Sequence, residues 1–210
     1  MEKPVTDYLF FSLLWILWCI VHSATTSLSL TNFLKNKISD KFRFYRLFYN
    51  LLAIATLIPL VIYSISVEET KILIWDGGFQ FVRYVLAVLI FALFFFSLIA
   101  YDWLQFWGIR QIIQKSASRA LSSQKKIIST GILGFIRHPL YLMLLIAIWI
   151  LDLDMTQIIR NVILTIYILI GTILEERKLI VEYGDEYRDY QSKVSMLFPY
   201  KWIKSRIQKL

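Results

Sequence analysis

The sequence is short of the residues that staple or metal-load a small protein. Cys19 is its only cysteine, so an intrachain disulfide is excluded, and so is a CxxC metal site. Histidine occurs twice, as His22 and His138, and no metal is expected. Acidic residues are outnumbered, 15 Asp and Glu against 23 Lys and Arg, for a formal net charge of +8. In a soluble chain that excess would suggest nucleic acid. Here the basic residues lie in loops and the tail, between apolar blocks, where they suit an anionic lipid surface. No nucleic-acid partner is expected. The sequence also lacks internal repeats and low-complexity stretches, which leaves an inverted-repeat transporter unsupported. The head, MEKPVTD, has no strongly basic region. The apolar run behind it exceeds the roughly 7–15 residues of a signal-peptide core, so it is expected to be retained.

What is abundant is apolar surface. The 210 residues are 58% hydrophobic and 16% aromatic, where a soluble domain is about 45–50% apolar. The excess falls in blocks of about twenty residues, the length that crosses a bilayer. Five spans are expected: Tyr8–Leu30, Tyr45–Ser66, Val82–Leu104, a shorter Pro139–Leu151, and Ile158–Leu174. Only DLDMTQ separates the last two, which makes them a tight helical hairpin. The fold class is therefore all-α, a polytopic integral membrane protein.

Loop charges set the expected orientation. Lys35, Lys37, Lys41, Arg43 and Arg46 follow the first span, and Arg110, Lys115, Arg119, Lys125, Lys126 and Arg137 follow the third. The loop after the second span carries Glu68, Glu69 and Asp76 against Lys71, and the hairpin turn carries Asp152 and Asp154. The N-terminus is thus expected outside and the C-terminus in the cytoplasm. Beyond Leu174, apolar residues at Leu179, Ile180, Tyr183, Tyr187 and Tyr190 recur at three- and four-residue spacing. They read as an amphipathic helix at the inner surface, with Gly184 as its possible break.

Two charged clusters stand out. Glu175 and Glu176 close the fifth span, where a helix C-terminus disfavours carboxylates by about 0.3–1 kcal/mol each. They need cationic partners: Arg177 and Lys178 beside them, Arg137, or a ligand. The other cluster is Arg137-His138-Pro139, at the start of the fourth span. Pro139 suits a first helical turn, free N–H groups there favour an anion, and Arg137 can grip a carboxylate in bidentate fashion. An arginine and a histidine marking the membrane surface would look the same. The hairpin puts both clusters on one side. A ligand carrying a carboxylate, an ammonium and a further positive charge would fit such a pocket, and S-adenosylmethionine is one.

TGILGFIRHPLYL (Thr130–Leu142) followed by EERKLIVEYGDEYRDY (Glu175–Tyr190) resembles the isoprenylcysteine carboxyl methyltransferase superfamily of membrane methyltransferases. His22-Ser23 and YRLFYN (Tyr45–Asn50) resemble its bacterial branch, which also contains NnrU-type proteins, and that likeness implies a bacterial inner membrane. The resemblance implies S-adenosylmethionine as cofactor, held by Gly131, Arg137, His138, Pro139, Tyr141, Glu175, Glu176 and Tyr187. The chain departs from the pattern at Gly131-Ile132-Leu133, where many members have Gly-Pro-Tyr, and at Met143, where many have glycine.

Residues 1–127 are then expected to form a scaffold and acceptor pocket, and residues 128–210 the methyltransferase-type hairpin and tail. The polar residues near the inner ends of the first two spans either bond helix to helix or line the acceptor pocket. His22, Asn50 and Arg137 are the catalytic candidates, and no general base is assigned. The expected partners are the lipid bilayer and a lipophilic or small carboxylate or thiol acceptor. The alternative is a non-catalytic assembly or scaffold protein with the same fold. A nicotinamide-binding reductase is disfavoured, because paired acids do not suit a phosphate-rich ligand.

Overall fold

The computed structural model describes residues 4–67, 69–114 and 127–208. Glu68, Lys115, Arg119, Lys125 and Lys126 lie outside the described residues. In chain order the helices are α1 (Val5–Thr26), α2 (Leu28–Ile38), a 3-10 segment (Ser39–Phe44), α3 (Tyr45–Ser66), α4 (Phe79–Ala100), α5 (Trp103–Trp107) and α6 (Ile109–Ile113). A second 3-10 turn (Gly131–Gly134) follows, then α7 (Pro139–Trp149), α8 (Met155–Tyr183), α9 (Asp185–Lys193) and α10 (Tyr200–Ile207). Among the described residues there is no strand, only two isolated bridges. Among the described residues four helical runs are long and apolar enough to cross a membrane: Val5–Thr26, Leu28–Ser66, Phe79–Ala100 and Met155–Tyr183. Their outer faces carry exposed Leu, Ile and Phe, such as Leu13, Ile62, Phe91 and Ile99. Apolar exposure on that scale belongs in lipid. The chain is an all-α polytopic membrane protein.

The spans differ from the hydropathy reading at their ends. The first stops at Thr26, not Leu30, because the Ser27 side chain accepts the Leu30 N–H and starts α2 as a new helix. The third ends at Ala100, before an extended Tyr101. The fourth, α7, has 11 residues, about 16 Å of helix, roughly half the hydrocarbon thickness. The fifth does not stop at Leu174; α8 runs unbroken for 29 residues to Tyr183. Gly184, at φ +60°, then turns the chain into α9, a backbone conformation that favours glycine.

The helices belong to two compact units. The first comprises Met1–Leu73, Trp103–Ser123 and Asp152–Tyr167; the second comprises Ile74–Asp102, Gln124–Leu151 and Ile168–Leu210. In the first, Phe11 and Trp15 of α1 pack on Leu60 of α3, with Ile159 and Ile163 of α8 against them. Trp15 Nε1 donates to Ser64 Oγ at 3.1 Å and Trp18 Nε1 to Thr56 Oγ1 at 3.2 Å. Interhelical bonds of this kind average about 0.6 kcal/mol in membranes. In the second unit α4 packs along α7, and Tyr187, Tyr190 and Val194 form a core with Leu179, Ile180, Tyr183 and Ile127. The apolar face of the amphipathic stretch is thus buried against its own chain rather than laid on lipid. Three- and four-residue spacing is the same for both outcomes.

The start of α8 in the first unit is capped reciprocally. Asp154 Oδ1 accepts the Gln157 N–H at 2.9 Å, and Gln157 Oε1 accepts the Asp154 N–H at 3.1 Å, a capping box. Lys71 Nζ donates to Asp154 Oδ2 at 2.7 Å, and Leu73 and Leu153 exchange backbone bonds beside it. Burial disfavours the Asp154 carboxylate, but the bonds from Lys71, Gln157 and Thr156 outweigh it and hold its pKa below the ordinary value.

A group with a depressed folded pKa contributes fully above its unfolded value, about 3.9, and loses that contribution as pH falls. Asp154→Ala is expected to cost about 1–2 kcal/mol, read as a lower midpoint in thermal unfolding of the detergent-purified protein. Asp154→Asn should remove this group's share of the stability loss below about pH 4.

Candidate functional site

Pro139 opens α7, and its ring fixes a backbone suited to a first helical turn. His138, the residue before it, makes no side-chain cap, so its imidazole is free to bond elsewhere. Ile136 pairs with Ser195 in a parallel bridge. Arg137 N–H donates to Ser195 O at 2.9 Å and His138 N–H to Met196 O at 3.1 Å. This bridge fixes the backbone from which both side chains reach α8.

They reach the same carboxylate. Arg137 Nε donates to Glu176 Oε1 at 2.9 Å and Nη2 to Oε2 at 2.6 Å, a bidentate pair. His138 Nε2 bonds Oε1 at 2.6 Å, and Tyr187 Oη of α9 donates to Oε1 at 2.7 Å. Gln191 Nε2 donates to Oε2. The remaining Arg137 nitrogen, Nη1, donates to the Val194 and Gln191 carbonyls. Both side chains of the ion pair are 8% exposed. A buried pair recovers its desolvation cost only when geometry is good and the other lone pairs are filled; both conditions hold here. Because Glu176 accepts, Nε2 of His138 carries the proton and Nδ1 is the other nitrogen.

Burial opposes the charge on Arg137, yet bonding to Glu176 prevails and raises its pKa. Burial, and then the bond to the Glu176 carboxylate, push the Tyr187 phenol far up, so it stays a proton donor at neutral pH. Tyr190 is raised as well, chiefly by burial. Its hydroxyl donates to Leu133 O at 2.6 Å and pins the 3-10 turn that Gly131 begins. Gly131 has φ +61°, and a Cβ there would meet nothing within 4 Å. Glycine is therefore required by the backbone, with open space beside it.

Glu175 is placed differently. It is half-buried and accepts the Tyr141 hydroxyl. The Tyr141 ring stacks on His138, centroids 5.4 Å apart and planes 5° from parallel. Adjacent helical residues point about 100° apart, so one acid is locked inside while the other borders the His138–Tyr141 pair.

The second unit thus brings together Arg137, His138, Pro139, Tyr141, Glu175, Glu176 and Tyr187, seven of the residues singled out in the sequence. His22 and Asn50 lie in the first unit, in bonds of their own. His22 Nδ1 pairs with Tyr167 Oη at 2.6 Å, and Asn50 Nδ2 donates to Phe106 O at 3.1 Å. Sequence reasoning missed Gln191, Tyr190 and Val194. Gln191 could have been found: it lies four residues beyond Tyr187, one turn along the same face. Lys201 escaped notice too. Its Nζ donates to the Gln191 and Ser192 carbonyls at 2.5 and 3.1 Å, closing the C-terminal end of α9.

Glu176→Ala leaves Arg137 buried without its anion and is expected to destabilise by about 3–5 kcal/mol. Tyr187→Phe removes one bond to a charged acceptor, at about 1.5–3 kcal/mol. Glu175→Gln should leave the thermal midpoint nearly unchanged. Thermal unfolding of the three variants checks this order, and an equal loss at Glu175 and Glu176 would contradict it.

Comparison with known proteins adds a family and relatives. The family model described as NnrU protein matches residues 10–196. The chain is similar to Methanethiol S-methyltransferase 1 of Bradyrhizobium diazoefficiens, 44% identical over 68 residues, which is 32% of this chain and 24% of that one. It is similar to Methanethiol S-methyltransferase of Pseudomonas deceptionensis, 43% identical over 65 residues, 30% of this chain and 25% of that one. With Methanethiol S-methyltransferase of Crocosphaera subtropica it shares 27% identity over 124 residues, 53% of this chain and 48% of that one. The matched stretches span about a quarter to a half of these relatives' length. No solved structure matches the chain significantly.

Proposed function

The chain belongs to the NnrU family, and from that premise we propose that it is a membrane methyltransferase using S-adenosylmethionine. The acceptor class is a lipophilic or small carboxylate or thiol. Small thiols come first, because the relatives are named methanethiol S-methyltransferases. The observation that carries the reading is the convergence of the α7 entry and the α8 acids on one charged site, in the sequence motif that the resemblance rests on.

The residues present fit such a ligand. Glu175 is an acidic acceptor for an ammonium or a ribose hydroxyl, and Tyr141 and His138 form an aromatic wall beside it. The N-terminus of α7 offers its positive potential to a carboxylate, and Gly131 leaves open space next to the 3-10 turn. Arg137, Glu176 and Tyr187 act one step back, holding His138 and the start of α7 in place. Bound S-adenosylmethionine supplies a methyl group already activated by its sulfonium. The chain's part is to align it with the acceptor and exclude water. A thiolate acceptor held beside Glu175 and the His138–Tyr141 pair would take that methyl group directly, with S-adenosylhomocysteine as the leaving group.

Residues 128–210 supply the cofactor side in this reading. Residues 1–127 supply scaffold and acceptor side, with His22 and Asn50 as candidates. The loop charges support an N-terminus outside and a C-terminus in the cytoplasm, and the bacterial relatives support residence in a bacterial inner membrane.

Calorimetry on the detergent-purified protein tests this. Saturable S-adenosylmethionine binding is expected, weakened about tenfold or more in Glu175→Ala, where a charge-assisted contact is lost, and in His138→Ala. Labelled methyl transfer to methanethiol, to longer alkyl thiols and to carboxylates then ranks acceptors. A folded wild type that binds no S-adenosylmethionine at millimolar concentration would leave the scaffold reading in its place.

A further inference from the structure

Positive charge gathers at the end of the first unit that carries α2, the first 3-10 segment and the start of α3. Lys35, Lys37, Lys41, Arg43 and Arg46 lie there, with Asp40 as the acid among them. Arg43 and Arg46 are three residues apart across the join between the 3-10 segment and α3, so they share a side. Helix α6, which carries Arg110, packs against the same 3-10 segment. The α5–α6 turn presses close to α3. A Cβ on Gly108 would stand 2.7 Å from the Leu47 nitrogen and 2.9 Å from Arg46 Cβ, and Gly108 has φ +88°. The base of Arg46 is therefore walled in.

Within this enclosure Arg43 and Arg46 are not fully satisfied. Arg46 Nε donates to Tyr49 Oη at 3.2 Å, yet Arg46 Nη1 is buried without an acceptor, and so is Arg43 Nε. The Arg43 guanidinium lies 4.8 Å from the Phe44 ring centroid, an aromatic contact that accepts no such bond in its plane. Buried polar groups are nearly always paired, and an unpaired one needs a reason.

We propose that Arg43 and Arg46, with Arg110 beside them, form a binding site for a phosphoryl anion. Two guanidinium forks match the tetrahedral oxygens of a phosphate. The site stands where the apolar run of α3 begins, at the level expected for headgroup phosphates. The phosphoryl group comes from an anionic phospholipid or from a free phosphate. The site is independent of the methyl-transfer reading.

Native mass spectrometry and thermal unfolding of the full chain, purified in chloride buffer, test the proposal in two arms. One titrates dioctanoyl phosphatidylglycerol, with dioctanoyl phosphatidylcholine as the neutral reference; the other titrates inorganic phosphate. Saturable binding is expected in at least one arm, weakened about tenfold by Arg43→Gln and by Arg46→Gln. Arg46→Lys, which keeps charge but not the fork, should fall between. Lys35→Gln and Lys37→Gln, on exposed side chains, should change little. Binding in the lipid arm alone identifies a headgroup, and binding in the phosphate arm identifies a free phosphate. If Arg46→Gln does not fold, Arg43→Gln carries the test. No saturable binding in either arm, or binding that follows the lysines instead of the arginines, overturns the site.

Discussion

The carboxylate of Glu176 is the point on which the second unit depends. It is a charge in a dry place, and its donors come from three parts of the chain: the entry to α7, α9 through Tyr187 and Gln191, and, indirectly, the segment after α9, whose Val194 carbonyl holds Arg137. None of these parts could be moved without stranding a buried ion. The break at Gly184 follows from the same demand. A straight continuation of α8 would carry Tyr187 and Gln191 along its axis, away from Glu176; the turn brings them back.

That constraint divides two neighbouring acids. Glu176 is used up by the protein, with donors on both oxygens, and is poorly suited to hold a ligand directly. Glu175, rotated by about 100° on the same helix, keeps capacity to accept and borders the His138–Tyr141 stack. A rigid inner pair that positions, next to an outer acid that can bind, is what a cofactor site on fixed elements requires. The Tyr190 bond to Leu133 extends the same rigidity to the turn at Gly131.

The first unit shows the opposite balance at its basic end. Its helices are joined by neutral bonds, Trp15 to Ser64, Trp18 to Thr56, His22 to Tyr167, each satisfied within the chain. Arg43 and Arg46 are not satisfied in that way. At Glu176 in the second unit and at Asp154 in the first, buried charge is answered from inside; Arg43 and Arg46 have no such answer, which is why the two arginines are read as a site and not as part of the packing.

Apolar blocks of span length, and the polar breaks between them, were legible in the sequence because hydropathy is a local sum along the chain. So were the motif residues Arg137, His138, Glu175 and Glu176, because a helix start and a helix end mark themselves with proline and with misplaced charge. Helix ends were less legible: Ser27 and Asp154 act through side-chain caps that hydropathy does not see. What only the tertiary structure decided is who bonds whom. Arg137 and Glu176 lie 39 residues apart, and sequence alone left Glu176 open to Arg177, Lys178, Arg137 or a ligand. Spacing could not say whether Tyr187 faced lipid or Glu176, since both faces share one period. Pairing of charges depends on distance and burial in three dimensions, and those exist only once the chain has folded back on itself.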